Sequence, residues 1–161
     1  AKGYPNLTDD AWLYGGSPEQ IVTSITAGRQ GAMPPMAAAI GNTDEAVRDM
    51  AIYVQSLSRP DVANKGDNAA AIERAKPRFM MCAACHGPDG SGNQMLGAPN
   101  LTDNSWLYGP RLEDIEYGIK HGRSGHMPAH ESLLSKERIH VIAAYVYNLS
   151  HRADADNTTT P

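Results

Sequence analysis

Cys82 and Cys85 are the only cysteines in the 161-residue sequence, and His86 follows the second of them directly. Two thiols at this spacing lie about one helical turn apart, on one side of a helix. They can add to the two vinyl groups along one edge of a porphyrin, and the imidazole that follows then swings beneath the ring to bind its iron. Cys82-Ala-Ala-Cys-His86 therefore predicts a covalently attached c-type haem with His86 as proximal ligand. Competing chemistries need residues that this pattern lacks. A zinc site wants four ligands, usually with a second Cys or His pair, and no other cysteine exists. A thioredoxin-like dithiol belongs in a strand–helix setting beside a parallel sheet. Two cysteines are also too few for the disulfide framework of a small secreted fold.

Haem iron in an electron carrier takes a second strong axial ligand, and Met opposite His raises the potential. Met127 is the leading candidate, because it lies in the loop Gly122-Arg-Ser-Gly-His-Met-Pro128, where little side-chain bulk blocks approach to the iron. Met95 is a second candidate, and His121, His126 and His130 offer imidazoles that are otherwise surface residues. Met80 and Met81 fit simple packing. Pro99 is placed to aim its carbonyl at the far ring nitrogen of His86, the bond that fixes tautomer and orientation. Trp106 and Tyr108 are candidates to pack on the haem or bond its propionates, and Arg123 to pair with a propionate. A core aromatic and a solvated charge are the plain alternatives for Trp106 and Arg123. A ready ligand at Met127 argues against a peroxidase or gas sensor, which needs an open axial position.

The elements that must hold these residues repeat. YPNLTDDAWLYGG (4–16) matches APNLTDNSWLYGP (98–110), and the register of 94 continues through Ile25/Ile119, Arg29/Arg123, Met33/Met127 and Pro34/Pro128. AIYVQSLS (51–58) then matches AAYVYNLS (143–150) after a two-residue loss. The expected fold is all-α, as tandem domains of which the first is incomplete at its N-terminus. Residues 1–58 form the C-terminal part of that first domain, 59–68 a polar linker, 69–152 a complete second domain, and 153–161 a flexible tail. In the second copy, helices are expected over Ala69–Met81, bent at Pro77, over Arg111–Lys120 on Leu112, Ile115 and Ile119, and after an N-cap at Ser135. That last helix carries Ile139, Ile142, Ala143, Val146 and Leu149 on one face, and Tyr145 is expected to meet Phe79 where first and last helices cross. No strand-like alternation stands out.

Hydrophobic residues make up 41% and charged residues 20%, which indicates a folded chain. The net charge of −4 and the lack of a Lys/Arg block argue against nucleic acid as a partner. They favour a donor presenting basic residues, with a rate that falls as salt rises. The longest apolar stretch, Val141–Tyr147, is too short for a bilayer span. No secretory signal opens the sequence, so a mature or truncated chain is expected.

CAACHGPDGSG, GAPNLTDNSWLYG, GRSGHMPAH and AAYVYNLS together resemble the class I cytochrome c domains of the dihaem subunit of cbb3-type cytochrome c oxidase, which implies tandem domains of that class. The phrase Asn-Leu-Thr-Asp-x-x-Trp-Leu-Tyr-Gly is the specific part, and the resemblance covers roughly residues 1 to 152. It implies a chain without catalysis of its own, on the periplasmic side of the bacterial inner membrane, anchored by an N-terminal helix that this sequence lacks. Such a module takes electrons from a soluble cytochrome and passes them, through other subunits of the terminal oxidase, towards its oxygen-reducing centre. By position, Cys82 and Cys85 would carry the thioethers, His86 would be the proximal ligand and Met127 the distal one. Other periplasmic dihaem cytochromes are the near alternative. The first copy has no CxxCH, since subtracting the 94-residue register from position 82 falls upstream of the sequence given. Residues 4–58 alone are too few to fold unaided. A second haem is therefore expected beside Met33, held by upstream cysteines, with Met36 as the rival ligand. A haem-free docking role for the first copy is the alternative.

Overall fold

A computed structural model of the chain describes residues 2–156. The helices are α1 (Pro18–Ala27), α2 (Asp44–Ser58), α3 (Asn68–Ala75), α4 (Met80–His86), α5 (Leu112–His121) and α6 (Lys136–Asp156), with short 3-10 turns at Ala37–Ile40, Pro60–Asn64 and Lys76–Arg78. Two strands, β1 (Arg29–Met33) and β2 (Arg123–Met127), pair with each other. This corrects the expectation of a purely helical chain. Five-residue strands holding a glycine carry almost no periodic signal, and each strand is the repeat counterpart of its partner. Among the described residues, no helix is long and apolar enough to cross a membrane.

Local chemistry explains most boundaries. Ser17 caps α1 through a reciprocal box with Gln20, and Pro18 opens the first turn. Thr43 accepts the Ala46 N–H at the start of α2. Ser135 accepts the Arg138 N–H at 3.4 Å, as an N-cap of α6 should. Pro77 has no N–H to donate, so the helix expected over 69–81 breaks at Lys76–Arg78 and resumes at Met80. At its other end α6 runs on through Asp156, into the stretch read as a tail, and residues 157–161 lie outside the described part.

The chain forms two compact units that do not follow the repeat. Among the described residues the first comprises 2–3 and 31–124, the second 4–30 and 125–156, so each unit takes half of each copy. In the first unit α2, from copy one, packs on α3 and α5, from copy two. The core there holds Ile40, Val47, Met50, Phe79, Cys82 and Ile115, with Met33, Met36 and Trp106 packed against it. Asp49 on α2, only 4% exposed, takes two bonds from Arg74 on α3, at 2.7 and 2.8 Å. The stretch read as a linker is itself anchored, because Val62 is buried with Ile52, Ala71 and Ile72. In the second unit Ile21 and Ile25 of α1 pack with Ile139 and Ala143 of α6.

Candidate functional site

The attachment residues sit on α4, which ends at Gly87, a glycine at φ 80° whose N–H bonds the Ala83 carbonyl at 2.9 Å. Cys82 is buried and Cys85 exposed, so the pair spans the boundary between core and surface. Burial, and after it the neighbouring Cys85, push the Cys82 thiol above its usual value. A catalytic dithiol needs the opposite, a thiol held as thiolate.

His86 is buried, and its Nδ1 lies 2.9 Å from the carbonyl of Pro99. A carbonyl can only accept, so Nδ1 must carry the proton, which leaves the lone pair of the neutral ring on Nε2. The loop that brings Pro99 there is tied at several points. The Gly92 N–H bonds the His86 carbonyl at 2.7 Å, Asn93 and Ala98 exchange backbone bonds at 2.9 and 3.0 Å, and Leu101 N–H reaches Gly90 at 2.7 Å. A Cβ at Gly92, where φ is 88°, would lie 2.8 Å from both the Ala98 carbonyl and the Asn100 amide. Only glycine permits that approach.

The specific repeat phrase also acquires a physical meaning. Asn100 accepts the Thr102 N–H at 2.8 Å and hydroxyl at 2.7 Å, and Asp103 accepts the Ser105 N–H at 2.8 Å. In the first copy Asn6 holds Thr8 and Asp9 holds the Ala11 amide in the same way. Two successive side-chain-closed turns thus lead into each tryptophan. Trp106 packs on the core that contains Cys82, and its Nε1 is buried without a partner. A buried donor of this kind wants an acceptor, and a haem propionate would supply one. The residues fit the group that the cysteines imply.

Arg123 lies over the rings of Tyr108 and Tyr117, at 4.3 and 4.6 Å, and donates to the Asp114 carbonyl at 2.7 Å. Tyr108 donates from its hydroxyl to the Ser124 carbonyl at 3.4 Å. Sequence reasoning named both residues but did not foresee that they pack on one another.

The first unit brings together Cys82, Cys85, His86, Pro99, Trp106, Tyr108, Arg123 and Met33. Met127 is not among them: it belongs to the second unit and is 37% exposed. Phe79, expected to meet Tyr145, has Tyr53 edge-on at 5.2 Å, and Tyr145 is 62% exposed. Tyr53 is the repeat counterpart of Tyr145, so the kind of contact was legible and the copy that makes it was not. Met95, at 93% exposure, has no packing role. Gly92, which sequence reading missed, stands in a GSG run that signalled a tight turn.

Residues 68–146 match the family described as cytochrome C oxidase, cbb3-type, subunit III. The chain is 50% identical over 150 residues to the cbb3-type cytochrome c oxidase subunit CcoP of Rubrivivax gelatinosus, covering 93% of this chain and 47% of the relative. It is 42% identical over 157 residues to subunit FixP of Azorhizobium caulinodans, covering 92% and 52%. To subunit CcoP of Cereibacter sphaeroides it is 37% identical over 156 residues, covering 91% and 52%. The chain spans about half the length of these relatives.

Proposed function

Since this chain belongs, through residues 68–146, to the cbb3-type cytochrome c oxidase subunit III family, we propose that it carries electrons through a haem c held at Cys82, Cys85 and His86. Bound there, the haem supplies a one-electron ferric/ferrous couple. The chain's own residues do the rest. Cys82 and Cys85 fix one edge of the ring, and His86 presents Nε2 to the iron. Pro99 prevents that imidazole from turning, and Trp106 donates to a propionate. Arg123 and Tyr108 form a stacked wall on the same unit. The observation that carries this reading is the 2.9 Å contact between His86 Nδ1 and Pro99, which sets the tautomer a metal ligand needs directly behind a CxxCH helix.

The relay runs from a soluble cytochrome to other subunits of a terminal oxidase, on the periplasmic face of the bacterial membrane, with an upstream segment as anchor. A second haem belongs to this reading wherever an upstream CxxCH is present. The resemblance to CcoP and FixP subunits supports each of these points.

The test is chemical. Expressed with haem-attachment machinery, the chain should retain one haem after acid–acetone extraction, by mass and by pyridine haemochrome. C82A/C85A should lose it. Haem that washes out of the unaltered chain would refute the assignment.

A further inference from the structure

Counterpart helices build the two units, and one helix face in the second unit lacks the cover that its counterpart has. In the first unit Ile115 and Ile119 of α5 pack with Val47, Ala51 and Val54 of α2. In the second Ile21 and Ile25 of α1 pack with Ile139 and Ala143 of α6, and Val146 lies against them. These are the same positions of the repeat, so the pair α1 and α6 reproduces the pair α5 and α2 residue for residue. The neighbouring face of the last helix differs. On α2 it lies beneath α3 and Phe79: Ile52 is buried with Ala71 and Ile72, Met50 with Ala75 and Phe79, and Tyr53 stands edge-on to Phe79. On α6 the counterparts of Asp49, Met50 and Tyr53 are Val141, Ile142 and Tyr145, which are 70%, 38% and 62% exposed. Three and four residues apart, they form one apolar patch where a surface helix ordinarily turns polar side chains to water.

We propose that this face of α6 is the docking site for a segment of the same chain that precedes residue 1, the first-copy counterpart of α3 and α4. In the first unit the helices that cover α2 come from the same copy as α5, so the cover over α6 comes from the copy of α1. The register of 94 sets that counterpart of residues 68–86 upstream of residue 1. The chain spans about half the length of the relatives it matches, which leaves room for such a segment. A second copy of this chain has no free α3 face to offer, because its own α2 covers it. The chemistry of the occupant follows from the patch. Val141 stands where α2 has Asp49, so the segment needs no arginine in the place of Arg74. It is an amphipathic helix that brings an apolar side chain to Val141 and an aromatic ring to Tyr145, as α3 and Phe79 do for α2. The docking is packing alone and does not depend on the haem assignment.

The test compares the 161-residue chain with a chain extended upstream through that segment. V141C and H140C are introduced into both, and maleimide labelling is located by peptide mass, which separates the new thiol from Cys82 and Cys85. His140 is the control, because its counterpart Arg48 keeps a side chain 62% exposed although α3 covers its helix. V141C should label freely in the shorter chain and at least about tenfold more slowly in the extended one, where labelling waits on local opening. H140C should label alike in both. Y145A, which adds no thiol, should lower the urea midpoint of the extended chain and leave that of the shorter chain in place. Equal labelling of V141C in the two chains would overturn the proposal, as would protection of H140C alongside it. Protection already present in the shorter chain and lost on dilution would also overturn it, and would make a second copy the occupant.

Discussion

The imidazole of His86 is held by a backbone carbonyl, so no side-chain replacement at Pro99 can remove its partner directly. The vulnerable residue is the one that lets the loop close. Alanine at Gly92 must adopt a φ of 88° and place its Cβ 2.8 Å from backbone atoms that cannot swing away. Left-handed backbone for a residue with a Cβ costs on the order of 1–3 kcal/mol, before any clash. We expect G92A to lose about 2 kcal/mol in urea unfolding, and to shift the iron–histidine stretch of the haem-loaded protein as the Pro99 bond lengthens. Gly125 is the control, since a Cβ there meets nothing within 4 Å. G125A should stay within about 0.5 kcal/mol of the parent. At this scale the site was largely legible. Cys82, Cys85 and His86 declare themselves by spacing, and Pro99 by the rule that a metal-binding imidazole needs a second partner. Met127 falls in the second unit, whereas Cys82, Cys85 and His86 fall in the first, because a motif read along one copy takes neighbours in sequence for members of one unit.

Elements were legible as helices and misjudged as partners. The periodicity of Leu112, Ile115 and Ile119 located α5, and Ser135 located the start of α6. What periodicity cannot say is which copy of a nearly identical face a helix meets. The deciding residues are those where the copies differ. Asp49 of α2 answers Arg74, whereas the aligned position of α6 is Val141, which is 70% exposed. A half-exposed arginine closing on a buried carboxylate distinguishes the two last helices, even though both carry the Tyr that could meet Phe79. Removing the contact should therefore cost stability in one copy only. Y53A deletes an edge-to-face pair against a fully buried Phe79, and loss of a large core aromatic typically costs 3–5 kcal/mol, less for one only partly buried. We expect about 2 kcal/mol for Y53A and under about 0.5 for Y145A, read by chemical denaturation. Equal losses would mean that both last helices cover Phe79.

For the whole molecule, the size argument that asked for a haem to hold residues 4–58 together assumed that each copy folds on itself. It does not: α2 buries Val47, Met50, Ala51, Ile52 and Val54 in the first unit against helices of the second copy, and α1 buries Ile21 and Ile25 against α6. Large apolar side chains contribute about 1.5–3 kcal/mol each on burial, so α2 alone brings several kcal/mol of attachment. The covalent chain between the copies is then dispensable for holding them together. Gly66 is the place to cut. It is exposed, with nothing within 4 Å of its Cβ position, and lies beyond the anchored turn at Pro60–Asn64 and before α3. A protease site inserted there and cleaved should leave two fragments that elute as one species in native buffer and part only in denaturant. Tandem domains joined by a passive linker would come apart at once. Two separate native species would refute the exchanged arrangement, whereas a nicked protein that stays whole and keeps its haem spectrum means that each copy is held by the other.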